Sequence, residues 1–222
     1  MKKIAVLGLG RFGMRLSREL AARGVEVIAI DRREELRDEV SKYVARAVSL
    51  DVRDEQALRE QGLADVDTCV VAIGENFEST LLTTLAVKNL VIQCVIARAQ
   101  TALQAEILRR VGADQIIQPE SEAAIVLGRK LANPHLRDFL ELDGAHAVVE
   151  INAPARFHGH TLAELRLRKD YRVNLVTIKR PTPGAPSAYR VIGVPGEGDV
   201  IQPGDVLVLV GDHRSLASLP RE

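Results

Sequence analysis

The chain has no tryptophan, and aromatic residues are only 3% of its 222 positions. Any core must therefore be built from Val, Ile, Leu and Ala, which suits strands buried on both faces under covering helices. Cysteine is almost absent as well. Cys69 and Cys94 each sit in an apolar, strand-like run and read as small buried residues, which argues against a disulfide or redox role. Net charge is missing too, with 30 basic residues against 30 acidic ones. No global field then favours nucleic acid or an anionic membrane surface, and little charge opposes self-association. No apolar stretch approaches the roughly 18 residues needed to cross a bilayer, and the run after Met-Lys-Lys is too short for a signal peptide. The expectation is a soluble, cytoplasmic protein that binds no nucleic acid. No internal repeat or low-complexity tract is present.

What the chain does have is concentrated at residues 4–31, IAVLGLGRFGMRLSRELAARGVEVIAID. An apolar run meets Gly8, Gly10 and Gly13, a helical pattern follows, and a second apolar run stops on Asp31. This order of strand, glycine turn, helix, strand and terminal acid is what a nucleotide-binding βαβ unit requires. Gly8 allows the tight turn, Gly10 lets the backbone approach a phosphate, and Gly13 lets the helix pack closely on the strand. The helix start then offers free N–H groups and a positive dipole end to an anion. Asp31 lies 18 residues past Gly13, at a strand end, where a carboxylate can accept hydrogen bonds from ribose hydroxyls. A 2′-phosphate would face that carboxylate, so NADP is disfavoured, whereas NAD, ATP, ADP and AMP are not separated.

The pattern continues as strict alternation. Strands are expected at residues 45–50, 68–73, 93–97 and 114–118, and helices at 34–43, 54–61, 76–90, 101–111 and 120–131. Such alternation implies a doubly wound parallel sheet, with every strand's C-terminal end on one edge. Gly8–Gly13, Asp31, Asp51, Gly74 and Arg98 all fall at such ends and should line one crevice. The punctuation changes near Asn133-Pro134. A smaller α+β unit follows, with strands at 147–151, 173–178, 189–194 and up to 210, a helix at 161–168, a Pro-rich loop at 179–188 and a short closing helix. The expected division is residues 1–133 and 137–222.

Arg11, inside the glycine turn, can reach the terminal phosphates of a nucleotide with its fork of donors. Asp51 can serve the adenine side of the ligand or cap the helix that follows. Arg98 can meet phosphate across the crevice or pair with Glu75. Asn76 can cap the helix after it, and Thr83 and Thr84 read as packing with bonds back to the preceding turn. His158 and His160 form an H-x-H pair without a carboxylate or cysteine at a ligand spacing. No acid–base constellation suggests catalysis, and the glycine turn lacks the G-K-[ST] ending of a P-loop.

GLGRFG, the acid ending the second strand, VVAIGENFESTLLTTLAVKNL, ARAQ and VGADQIIQPESEAA closely resemble the regulator of potassium conductance (RCK, or KTN) domain. The closing VIQPGDVLVLVG resembles that family's C-terminal lobe. The resemblance runs over almost the whole chain and is similar to the Ktr/Trk cytosolic regulatory subunits of bacterial potassium uptake systems. It implies a Rossmann-like doubly wound sheet (RCK_N) followed by a small α+β lobe (RCK_C). It also implies a non-enzymatic gating subunit that senses ATP versus ADP, or NAD(H), and that docks under a membrane-embedded potassium-translocating subunit as dimers assembled into a ring, commonly an octamer. Nucleotide contacts are then expected from Gly8, Gly10, Arg11, Phe12, Gly13, Asp31, Arg32, Asp51, Val52, Ile73, Gly74, Glu75 and Arg98, with Arg11 at the terminal phosphate. Glu120 is expected to help hold a cation between nucleotide-bearing subunits, and the C-terminal lobe, in the region of Asn174, is a candidate for cyclic di-AMP. Arg53 departs from the family, standing near the adenine where many relatives carry a small or hydroxyl residue. The competing readings are an NAD(H)-dependent oxidoreductase and an NAD(H) redox sensor.

Overall fold

The computed structural model describes residues 2–74, 76–132, 136–182 and 184–220. The chain divides into two compact units, Met1–Glu122 and Ala123–Glu222.

The first unit is a six-stranded sheet built from β1 (Lys3–Leu7), β2 (Glu26–Asp31), β3 (Arg46–Ser49), β4 (Thr68–Val71), β5 (Cys94–Arg98) and β6 (Gln115–Ile117). The strands lie in the order β3-β2-β1-β4-β5-β6 and every pairing is parallel. The order reverses direction beside β1, which makes the gap between β1 and β4 the place for a ligand in an open α/β sheet. Helices α1 (Arg11–Ala22), α2 (Glu34–Ser41), α3 (Glu55–Glu60), α4 (Phe77–Asn89) and α5 (Ala102–Val111) supply the crossovers, and α6 (Pro119–Ala132) follows β6. Two apolar clusters cover the two faces. On one, Met14 of α1 and Val40 of α2 pack on Val6, Val27 and Ala29. On the other, Leu58, Val87 and Leu108 of α3, α4 and α5 pack on Leu7, Ile28 and Val71. The fully buried residues of both layers include no aromatic side chain, as the near-absence of aromatics demanded, while Phe12 and Phe77 pack at their margins.

The helix starts follow their sequence. Asp54, Asn76 and Thr101 cap α3, α4 and α5 by accepting the N–H of Ala57, Ser79 and Gln104. Pro119, expected to end a strand, occupies the first position of α6, where its missing N–H costs nothing. Thr84 donates to the Thr80 carbonyl at 2.7 Å, as read from the sequence, whereas the Thr83 hydroxyl, expected to do likewise, is buried without a partner. Cys69 is buried, and burial pushes its thiol pKa up, whereas Cys94 is only half-buried.

The second unit is a five-stranded antiparallel sheet in the order β10-β9-β11-β8-β7, made from β7 (Leu136–Glu141), β8 (His146–Asn152), β9 (Asn174–Thr182), β10 (Ala185–Val191) and β11 (Val206–Asp212). Phe157 and Tyr171 meet edge-on at 5.7 Å within an aliphatic cluster that includes Val149, Ile178, Leu207 and Leu209. Three expectations change here. Residues 136–141 form an edge strand where none was expected. The Pro-rich stretch is largely strand, because β9 and β10 extend into it from either side and pair with each other. The helix expected at 161–168 splits into α7 (Leu162–Leu165) and α8 (Leu167–Asp170), because Arg166 takes the left-handed conformation, φ 46°. A short α9 (His213–Ala217) closes the unit, capped by Asp212. Among the described residues no helix is long and apolar enough to cross a membrane.

Candidate functional site

The C-terminal ends of the first unit's strands surround a cleft of about 860 Å³. Its floor is the glycine turn. Gly8 has φ +94°, and a Cβ there would lie 3.0 Å from Ile73 Cγ1 and 3.1 Å from the Ile73 nitrogen, so only glycine fits. A Cβ on Gly13 would stand 1.9 Å from the Gly8 carbonyl oxygen, so α1 can start this close to the turn only without a side chain. Gly13 is thus a packing residue beneath the cleft rather than part of its lining. Gly10 differs from both, since a Cβ there would meet nothing within 4 Å. The space the sequence reserved for a ligand at this position is open volume.

Gly10 is also the cap residue of α1, with no side-chain cap, and the first turn holds no acid. Every other helix of eight or more residues in this unit begins with a side-chain cap or an acidic first turn. The dipole and N–H groups at the start of α1 are therefore left to the cleft. Arg11, exposed at the first helical position, lines the cleft beside Phe12.

The two acids of the outer half occupy matched local structures. Asp31 is buried at 6% exposure. Its Oδ2 accepts the Leu9 N–H at 2.7 Å, and its Oδ1 accepts the Arg33 backbone N–H at 3.0 Å and Arg33 Nε at 3.1 Å. Burial alone would raise its pKa, but the Arg33 side chain and the N–H groups of Arg33 and Leu9 outweigh it and hold the carboxyl below its ordinary value. Asp51 repeats the device at the end of β3. Its Oδ1 accepts the Arg53 N–H at 3.0 Å and Arg53 Nε at 2.9 Å, and its Oδ2 accepts Arg53 Nη2 at 2.5 Å. Hydrogen bonds from the Arg53 side chain and backbone lower its pKa to about 2. The capping role weighed for Asp51 belongs to Asp54 instead. Arg32 and Val52 line the same half.

Across the cleft, Arg98 is 14% exposed and pairs through Nη2 with Glu120 Oε1. Its guanidinium carbon lies 5.7 Å from the Phe12 ring centre, and its Nε is buried without a partner. Gly74 makes room for it, because a Cβ there would lie 2.2 Å from Arg98 Nη1. Arg98 thus takes Glu120, at the start of α6, as its acid, and the alternative partner Glu75 lies outside the described residues. Glu120 is the one carboxylate of this chain on that side of the cleft among its described lining residues. Among the described residues no cluster of three or more His, Cys, Asp or Glu side chains forms a metal site. His158 is occupied with the Ala153 carbonyl at 3.1 Å.

Twelve expected residues line the cleft, namely Gly8, Gly10, Arg11, Phe12, Asp31, Arg32, Asp51, Val52, Ile73, Gly74, Arg98 and Glu120. Arg33, Ser79 and Gln100 line it too and were not expected. Arg33 had a signal in the sequence, because Asp-x-Arg occurs at both Asp31 and Asp51. Gln100 had only its place two residues past β5, from which its side chain reaches the Gly74 carbonyl.

Family models for the TrkA-N domain and the TrkA-C domain match residues 4–119 and 146–221. The chain is 38% identical to the Ktr system potassium uptake protein C of Bacillus subtilis (strain 168), over 95% of this chain and 92% of that one. It is 31% identical to the Ktr system potassium uptake protein A of Vibrio alginolyticus, over 98% and 96%. Among solved structures, the GsuK channel bound to NAD superposes with a TM-score of 0.52 at 23% identity. That likeness covers 98% of this chain but only 38% of the channel's chain, and it concerns the fold. The chain belongs to the family of proteins that join a TrkA-N domain to a TrkA-C domain.

Proposed function

We propose that the chain is a nucleotide-responsive regulatory subunit of a potassium uptake system and carries out no catalysis itself. The observation that supports this reading best is the start of α1, an uncapped helix end behind open volume at Gly10 and flanked by Arg11. That is a polyphosphate cradle with a cation at its mouth. Asp31 stands one strand away, with the geometry of a ribose acceptor. In this reading residues 1–133 hold the nucleotide and residues 137–222 form a second sensing lobe, with cyclic di-AMP its ligand to test.

ATP and ADP share their adenosine contacts, so only contacts to the γ-phosphate can favour one arrangement of the subunits over another. Arg11 is the residue placed to make that contact, and NAD(H) would use the same ribose and pyrophosphate positions without it. A coupling of about 1–3 kcal/mol is typical of such regulation. Glu120 brings one carboxylate to a cation, so phosphate oxygens or a neighbouring subunit must complete the shell. The chain would work in the cytoplasm as a homo-oligomeric ring, an octamer of paired subunits, held at the inner face of the membrane by its potassium-translocating partner.

Calorimetric titration with ATP, ADP and NADH tests the reading. Arg11→Ala should weaken ATP about tenfold and leave ADP nearly unchanged. Equal loss for both would remove Arg11 from the γ-phosphate, and no binding of any of the three would overturn nucleotide sensing. Turnover of NADH with candidate substrates would overturn the non-catalytic reading.

A further inference from the structure

Five arginines and three carboxylates stand among the described residues that line the cleft. Each carboxylate is held by one of those arginines: Asp31 by Arg33, Asp51 by Arg53 and Glu120 by Arg98. The acids that end β2 and follow β3 are held in the same manner. Asp31 accepts four hydrogen bonds, from the N–H groups of Leu9 and Arg33 and from Arg33 Nε and Nη2, the last being the longest at 3.4 Å. Asp51 also accepts four, one from the Arg53 N–H, two from its Nε and one from its Nη2. An ionised carboxylate has about four lone-pair sites. Neither acid therefore has an acceptor to spare for a ligand, and the two are alike in this respect.

A nucleotide that sets its ribose at Asp31 and its base toward Asp51 must displace a donor from each. The donors differ in how readily they leave. The N–H groups of Leu9, Arg33 and Arg53 belong to the turns after β1, β2 and β3 and cannot withdraw unless the backbone moves. The Arg33 and Arg53 side chains are 48% and 46% exposed, so water can receive their guanidinium groups, and exposed pairs of this kind are weak. A ribose hydroxyl or the amino group of adenine then takes the place of an arginine N–H. The carboxylate is satisfied before and after, so the new contact gains less than it would at an unoccupied acid.

We infer that Arg33 and Arg53 are internal competitors of the nucleotide, each occupying the acid that a ribose hydroxyl or the adenine amino group would use, and that together they limit how tightly the adenosine half is held. A subunit that answers to ATP against ADP has to release one before it binds the other, and acids already satisfied in the empty cleft favour that release. This rests on the nucleotide reading above and adds the two residues that limit affinity.

The test is calorimetry on the full chain. ADP is compared with 2′,3′-dideoxy-ADP, which lacks the ribose hydroxyls, and with purine riboside diphosphate, which lacks the amino group. All three carry the same phosphates, so a general change of charge cancels in the ratios. Arg33→Ala should raise the preference for ADP over the dideoxy form about fivefold, and Arg53→Ala should raise the preference over the amino-free form by a similar factor, as befits the loss of an exposed pair. On an Asp31→Asn background, Arg33→Ala should change nothing. A ratio that stays level or falls in either single variant would overturn the inference, because removing a side chain that binds the ligand weakens the contact. So would the same gain on the Asp31→Asn background, since it would come from bulk and not from competition. Nucleotide sensing stands in both cases. If the parent binds none of the three, that reading falls and takes the inference with it. Circular dichroism of each variant separates a changed contact from a changed fold.

Discussion

In the first unit the charged side chains gather at the C-terminal strand ends and line an open cleft. In the second, the most deeply buried charge is turned onto its own chain. The Asp205 side chain is 0% exposed and takes Arg180 bidentately, Nε to Oδ1 and Nη2 to Oδ2, both at 2.8 Å. The same carboxylate accepts the Gln202 N–H at 2.8 Å, and Arg180 also donates to the Val200 carbonyl. That network fastens the Gln-Pro-Gly-Asp turn to β9 and leaves no acceptor pointing outward. The same chemistry, arginine against carboxylate, stiffens a turn in one unit and shapes a binding surface in the other. What separates the two is whether the pair borders open volume.

The strongest way to break the contrast is at Gly13. Gly13→Ala places a Cβ 1.9 Å from a backbone oxygen that cannot rotate away. A loss of about 3 kcal/mol or more is expected in urea unfolding of the first unit, with nucleotide affinity lost alongside it. An unchanged midpoint would mean that α1 can slide outward and that the cleft does not depend on this contact.

Asp205→Ala should cost the second unit about 3 kcal/mol, because it strands the Arg180 charge among buried groups. Nucleotide affinity in the first unit should not change. If it does, the Asp205 network is not confined to stiffening a turn, and the contrast fails.

Asp31→Asn should do the reverse, removing only about 1 kcal/mol of stability while weakening every nucleotide. Because the folded-state pKa of Asp31 lies below its ordinary 3.8, its contribution is present above that pH and disappears as pH falls through the lower, folded value. First-unit stability measured from pH 5 downward should therefore decline below about pH 4 in the parent, and less in the variant. An identical decline in both would assign the loss to other carboxylates.

Asp51→Asn should have the smallest effect on stability, below about 1 kcal/mol, since the pair with Arg53 is half-exposed and screened. With the Asp51 pKa lowered to about 2, that small contribution fades between pH 3.8 and about 2. A larger loss would show that the clasp supports the fold rather than the ligand surface.

The same contrast explains what could be read from the sequence. The first unit was legible because its signals are local and redundant. Glycines sit where the first strand meets its helix, capping residues stand before α3, α4 and α5, and polar residues follow the apolar runs. The parallel sheet then brings those ends to one edge without further information. The second unit resisted at the points where tertiary pairing decides. Residues 136–141 lie at a sheet edge, with Leu140 exposed, so their apolar pattern does not report a buried face. The prolines at 181, 183 and 186 spoke for a loop, yet Pro181 lies past the part of β9 that pairs with β11, and Pro186 belongs to the edge strand β10. Nothing local announces that Arg166 turns left-handed. Within the cleft, the pairing of Asp51 with Arg53 was not legible for another reason. Spacing places a carboxylate at a strand end, but it does not say which donor two residues later will occupy it.

The Asp-x-Arg clasps at the ends of β2 and β3 each close within three consecutive residues. They need no distant segment to be in place, so they can form as soon as the chain leaves its strand. Val52, inside the second clasp, packs on the apolar layer beneath, whereas Arg53 belongs to the rim of the cleft. One altered codon at position 53 would therefore change what the outer rim offers a visiting molecule and leave the scaffold as it was. Evolution could retune the chemical message that such a protein hears without rebuilding the receiver.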